Sequence, residues 1–343
     1  MRKSARDLSL ARAGYKSYCP ITRQNTTAAW PLKEHGMGSA RSKGTVGIIG
    51  LGIMGGAFAK NLAAAGWHVV GYDIDPARNR AAAKAGVAIA KNAADVAAKV
   101  PTIIISLPSP KALAVTVKAI VKAKVPRRIV VEASTFTLAD KQRAEQALRK
   151  DGHVMIDAPV SGTGAQAQKG DLAIYASGDR KSISKLKPLF ADFSRKAYDL
   201  GAFGNGSRMK YVANHLVAIN NVASAEAMVL GMKAGLDPKM IFETVSNGAG
   251  NSRIFELRAP MMVANDYNDA TMKVSVWQKD MKVIGEFAKQ IHCPTPMFDS
   301  TLPVYAAAMK RGLAEQDTAA VCAVMETMAG FKRKGRASRG KKR

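Results

Sequence analysis

Residues 45–75, TVGIIGLGIMGGAFAKNLAAAGWHVVGYDID, decide the fold. TVGIIG is a short β-branched strand, LGIMGGAFAKNLAAAG a glycine turn running into a helix that closes at Gly66, and HVVGYDID a second strand. Strand, turn, helix and strand in about thirty residues make a βαβ unit. Within it, Gly50-x-Gly52-x-x-Gly55 follows the first strand and opens the helix. Gly50 permits the tight turn, Gly52 lets backbone approach a pyrophosphate, and Gly55 lets helix and strand pack closely, while the helix N-terminus offers N–H groups to the phosphates. Asp73 stands 21 residues after Gly52, where an acid accepts from ribose hydroxyls and repels a 2′-phosphate. This favours NAD as cofactor, and Arg78 and Arg80 leave NADP open.

Further units follow. Helical stretches at 76–85, 93–99, 111–123, 138–150 and 180–193 alternate with strands at 87–90, 102–107, 128–132, 153–157, 172–177 and near Ala197. Such alternation predicts an α/β fold with a doubly wound, mostly parallel Rossmann-type sheet over residues 44–203. A glycine-rich loop, DAPVSGTGAQAQKGD at 157–171, follows a strand and so lies at the carboxyl edge of the sheet, where open α/β folds bind ligands.

From residue 204 the strand pattern ends, and an all-α domain over 204–330 is predicted. It is entered by one long interdomain helix in GNGSRMKYVANHLVAINNVASAEAMVLGMKAGLDP, residues 204–238. Between Lys210 and Lys233 the only formal charge is Glu226, so this helix belongs inside the protein. Lys210, Asn214 and Asn221 share one face, and burying an ammonium or an unpaired amide there costs several kcal/mol without a partner. The expected partner is substrate. A new helix starts at Asp237-Pro238, and others are predicted over 274–291, 297–311 and 318–328.

The chain has 343 residues, 47% of them hydrophobic, and a net charge of +26. That charge suggests a nucleic-acid partner until it is divided: residues 1–44 hold nine basic and two acidic residues, and 331–343 eight basic and none acidic, leaving +11 for the 286 between. The ends are read as a disordered basic arm (1–43) and tail (331–343), binding nucleic acid at most nonspecifically. The arm also fits a presequence or translation from Met37. Three scattered cysteines suit a reducing compartment, and the five histidines show no metal-ligand spacing. No apolar run reaches the ~18 residues of a membrane helix. The expected location is cytoplasmic, or an organellar matrix if residues 1–43 are a presequence.

The second and third candidate sites are the loop and the long helix. Ser161, with the backbone around Gly162 and Thr163, is placed to hold a carboxylate, although glycines alone would also give a flexible turn. Lys210, if desolvated, exchanges a proton with a hydroxyl or carbonyl oxygen near neutral pH, and Asn214, one turn on, orients the same oxygen. Spacing alone fits an ordinary lysine near a helix start at least as well.

GLGIMG, SLP, EAST, DAPVSG, GNGSRMKYVAN and WQKDM occur in the order and spacing of the β-hydroxyacid dehydrogenases, and the chain resembles that family over about residues 45–330. The resemblance, to 3-hydroxyisobutyrate dehydrogenase and tartronate semialdehyde reductase, implies a 6-phosphogluconate-dehydrogenase-type NAD-binding domain and NAD(P)-dependent hydride transfer on a small carboxylate substrate. It further implies that Gly50, Gly52, Ile53, Met54 and Gly55 hold the pyrophosphate, Asp73 the adenosine ribose, and Leu107, Pro108, Thr135 and Lys279 the nicotinamide side. Ser161, Gly162 and Thr163 match the substrate-carboxylate loop, and Lys210 and Asn214 the catalytic pair. A homodimer or homotetramer is implied as well. The chain departs from the family at Thr163 and Gln166, which replace glycines, at His215, which replaces an Asn, and at Ala112. Two rivals share the scaffold: imine reductases, which lack the lysine, and a non-enzymatic binding protein suggested by the basic ends.

Overall fold

The computed structural model describes residues 43–333; the arm, the alternative start at Met37 and the tail from 334 lie outside them. Phe331 and Arg333, assigned by sequence to the tail, are instead held: Phe331 packs on the helical core and Arg333 Nε donates to Glu326 Oε1 at 2.6 Å.

The described residues form nine strands: β1 (Thr45–Ile49), β2 (His68–Tyr72), β3 (Ala88–Ile89), β4 (Thr102–Ile105), β5 (Ile129–Glu132), β6 (Val154–Asp157), β7 (Val160–Ser161), β8 (Ala173–Ala176) and β9 (Lys196–Asp199). The first six make a wholly parallel sheet of order β3-β2-β1-β4-β5-β6. Helices α1 (Ile53–Ala64), α2 (Pro76–Lys84), α3 (Ala93–Lys99), α4 (Pro110–Lys122) and α5 (Leu138–Lys150) are its crossovers. Its central strands are apolar on both faces, Val46 and Ile48 toward one core and Ile103 and Ile105 toward the other, as a sheet covered on both sides requires. The strand order reverses between β1 and β4, which opens a crevice at their carboxyl ends.

The last three strands depart from the expected single sheet. They form a separate sheet, β7-β8-β9, in which β7 and β8 are antiparallel. The chain between β7 and β8 holds only the single-turn α6 (Gly164–Gln168), too little for a parallel crossover, so it returns antiparallel. The expected loop is therefore built rather than irregular. Thr163 and Gln166 form a capping box around the first turn of α6.

After α7 (Arg180–Ala191) the chain is helical: α8 (Asn205–Lys233), α9 (Pro238–Ser246), α10 (Arg253–Ala264), α11 (Val274–Gln290), α12 (Pro296–Lys310) and α13 (Val321–Met328). The 29-residue α8 is the axis of this half, burying Tyr211, Ala218, Ala225 and Met228 among its neighbours. α10 was not expected from periodicity, and Pro260 sits inside it. Among the described residues no helix is long and apolar enough to cross a membrane, and no three His, Cys, Asp or Glu side chains gather as a metal site.

Candidate active site

At the switch point Gly50 adopts φ +89°, and a Cβ on it would lie 2.1 Å from the Ser106 carbonyl oxygen, so glycine is required for the turn. Gly52 precedes α1 without any side chain capping it, which leaves first-turn N–H groups to an anion. Ile53, Met54 and Gly55 begin that helix. Asp73 is buried, and its carboxylate accepts from the Leu51 N–H at 2.7 Å and the Asp75 N–H at 2.9 Å. It is thus fixed against the glycine turn. The Arg78 guanidinium stands 3.6 Å from Asp73 and also from Asp75. A hollow of about 620 Å³ opens here, lined by Gly50, Asp73, Arg78, Leu107, Pro108 and Ala112 among others. Uncapped helix, fixed acid and apolar walls fit an adenine dinucleotide.

A second cleft, of about 820 Å³, lies between the small sheet and the helical half. Ser161, Gly162 and Thr163 form one wall and Lys210 and Asn214 another. Sequence positions about fifty residues apart thus meet, as the two candidate sites require. Lys210 is 9% exposed and, among the described residues, its ammonium has no hydrogen bond or ion pair. Burial lowers its pKa from 10.5 to about 8; the Asp280 carboxylate opposes the drop, while the Lys279 and Lys141 charges add to it.

The polar stripe of α8 is only partly as expected. Asn214 does not wait for substrate: its Nδ2 donates to Asp280 Oδ2 at 2.9 Å. Asn221 is structural, donating to the Tyr305 hydroxyl and the Thr318 carbonyl, each at 2.9 Å. Among the described residues, Lys210 alone of the three has no hydrogen-bonded or ion-paired protein partner. His215 stacks on Phe298, with ring centroids 5.3 Å apart. Gln166 Oε1 accepts the Thr163 N–H and its Nε2 donates to Asp171, so both side chains that replace family glycines are tied into the wall.

Thr135 and Lys279 line neither hollow but meet each other, the ammonium donating to the Thr135 carbonyl at 2.5 Å and lying 5.4 Å above the Phe136 ring. Lys279 also pairs with Asp280 at 3.0 Å. Asp280, which the sequence did not single out, therefore connects Lys279 to Asn214. Its only signal was adjacency to Lys279 in WQKDM. Equally unforeseen are Glu132, Lys141 and Asp157, an ion triad with fully buried side chains. Lys141 falls on the buried stripe Lys141, Ala144, Leu148 of α5, an unusual place for a lysine and a signal that was readable.

Comparison with known proteins gives the following matches. Residues 45–201 match the NAD binding domain of 6-phosphogluconate dehydrogenase, and residues 204–325 the NAD-binding domain of NADP-dependent 3-hydroxyisobutyrate dehydrogenase. The chain is 32% identical over 282 residues to the L-threonate dehydrogenase of Haemophilus influenzae, covering 81% of this chain and 93% of that protein. It is 30% identical over 286 residues to the NAD-dependent L-serine dehydrogenase of Pseudomonas aeruginosa, covering 80% and 96%. The crystal structure of 3-hydroxyisobutyrate dehydrogenase from Salmonella typhimurium superposes with a TM-score of 0.75 at 29% identity, covering 82% of this chain and 99% of that one.

Proposed function

The chain belongs to the β-hydroxyacid dehydrogenase family of NAD(P)-binding oxidoreductases, and from that premise we propose that it interconverts a small β-hydroxy acid and its semialdehyde or keto acid, with Lys210 as general acid/base. The observation that carries the reading is the buried, unpartnered Lys210 ammonium facing Ser161, Gly162 and Thr163 across one cleft. A bound nicotinamide would supply the acceptor or donor of the hydride. Neutral Lys210 takes the hydroxyl proton in oxidation, and its ammonium protonates the forming alkoxide in reduction. Asn214, held by Asp280, orients the reacting oxygen, and the Ser161 loop receives the carboxylate. Purified protein assayed with NAD+ and NADP+ against threonate, serine and 3-hydroxyisobutyrate, and with NADH and NADPH against their oxidised forms, tests this. Absence of turnover with every pair would sink it.

The lowered pKa gives the reading a pH signature. Oxidation should rise with pH through a midpoint at about 8 as Lys210 loses its proton, and reduction should fall through the same midpoint. Asp280 holds that pKa up, so Asp280→Asn should move both midpoints to lower pH. An unmoved midpoint would detach Asp280 from Lys210.

The cofactor we propose is NAD. Asp73 is an acid held against the glycine turn, and an acid at that point of the motif would accept from ribose hydroxyls and repel a 2′-phosphate, although Arg78 beside it offers partial compensation. Asp73→Ala should raise the NADP-to-NAD ratio of kcat/KM by about tenfold or more, the worth of ~1.4 kcal/mol of repulsion. Homodimer or homotetramer formation is proposed through the helical half, where Val212 and Leu216 are 55% and 53% exposed one turn apart on α8. A monomer mass by sedimentation would remove it.

A further inference from the structure

α8 begins without a cap of its own. Its N-cap residue is Gly204, at φ +93°, which offers no side-chain hydrogen bond. The first-turn N–H groups are met from outside the helix: Asn205 donates to the Ala202 carbonyl, Gly206 to Ser177 Oγ at 2.9 Å, and Ser207 to Asp157 Oδ2 at 2.8 Å. Asp157 Oδ1 also accepts the Ser207 hydroxyl at 2.8 Å. The helix end is pressed onto the strand that supplies this carboxylate, since a Cβ on Gly206 would stand 2.8 Å from the Asp157 carbonyl oxygen.

Asp157 is in turn held by charge. Lys141 Nζ lies 2.8 Å from its Oδ1 and 2.7 Å from Glu132 Oε2, with all three side chains at 0% exposure. From Glu132 the chain of bonds continues outward: Oε1 accepts the Ser134 N–H at 2.9 Å, and Ser134 Oγ accepts the Leu107 N–H at 2.9 Å. A buried network thus runs from Leu107, at the dinucleotide hollow, to Ser207, three residues before Lys210. Two carboxylates against one ammonium leave a net negative charge, which the N-terminus of α8 stabilises. Burying such a triad is a poor way to gain stability, because desolvation offsets most of the attraction and apolar residues of equal volume do as well or better. What it does supply is a single fixed geometry.

We propose that the Glu132–Lys141–Asp157 triad is a positioning device that caps α8 from the sheet, and so holds Lys210 in register with the loops that face the cofactor. The proposal rests on Lys210 being the acid/base. A slack first turn displaces the amine from the reacting oxygen and admits water around it, while the dinucleotide hollow stays intact.

The test uses the full-length protein and two variants. Ser207→Ala removes one bond to Asp157 and leaves the triad whole; Asp157→Asn removes the charge and keeps an acceptor for the Ser207 N–H. Three quantities are read: kcat and KM, NADH affinity by fluorescence, and the pH dependence of Lys210 acetylation by acetic anhydride, followed by peptide mass spectrometry. The last needs no substrate, so a wrong function and a wrong positioning role are told apart. Expected for Ser207→Ala are a fall in kcat of about tenfold, an unchanged NADH Kd and a Lys210 titration moved upward toward that of free lysine; Asp157→Asn should lower kcat further. Val324→Ala, in the core of the helical half, serves as a comparably destabilised control that moves neither kcat nor the titration. Should Ser207→Ala keep kcat within about twofold and titrate as the parent does, the triad is only structural and the proposal is overturned. If Asp157→Asn does not fold, Ser207→Ala alone decides.

Discussion

Replacing Lys210 by alanine should lower kcat by about 10²- to 10⁴-fold, the range expected when a positioned general acid/base is lost. Affinity for NADH should stay at the parent value, because the hollow lined by Gly50, Asp73 and Leu107 lies apart from the Lys210 cleft. The lysine makes no hydrogen bond or ion pair among the described residues, so its removal leaves no protein group unsatisfied and the fold should tolerate the change. Lys210→Arg should not rescue: a guanidinium stays protonated and cannot serve as base near neutral pH. A kcat reduced less than about tenfold in Lys210→Ala would assign proton transfer to another group. Stopped-flow hydride transfer, which isolates the chemical step, is the measurement to use.

The second large effect concerns the glycine turn. A Cβ on Gly55 would stand 1.9 Å from the Gly50 carbonyl oxygen, closer than any real contact, and the atom it meets is backbone. Gly55→Ala therefore has to push α1 away from the turn. At about 1–3 kcal/mol for such overpacking, thermal unfolding should come several degrees lower. NADH affinity should drop by about tenfold to a hundredfold, since the displaced helix N-terminus no longer faces the pyrophosphate. Gly285→Ala in α11, where an added Cβ meets only Phe298 at 3.8 Å, is the matched comparison and should be neutral or slightly stabilising. Equal losses of affinity in the two variants would refute the role given to the turn.

How much of this was legible in the sequence follows from what kind of signal each feature leaves. The βαβ start was readable because glycine spacing, strand composition and Asp73 are all local. The short α6 was not, since five residues cannot show a helical period, although Thr163 and Gln166 spell a capping box three residues apart. α10 was hidden because RIFELRAPMMVA is apolar along most of its length and shows no one-faced stripe. The polar stripe on α8 was visible, yet its partners were not: Asp280 and Tyr305 lie 66 and 84 residues from Asn214 and Asn221. Likewise Glu132 and Asp157 end adjacent strands and face each other in register, a fact set by pairing that no spacing along the chain reveals. Charges that find each other only through the fold are the part of a site that sequence conceals.

The bond from Asp157 to Ser207 bears on how this molecule was assembled and how it can be taken apart. Two separate family profiles meet near residue 203, which invites a picture of interchangeable modules. Yet the carboxylate that starts the first helix of the second segment belongs to the first, and it is paired with Lys141 of α5, which the first segment also supplies. Cutting or recombining the chain at that border would strand an ion pair on one piece and uncapped amides on the other. The inheritable unit is then the pair of halves together, and chimeras among relatives should succeed only when both sides of this one joint come from the same parent.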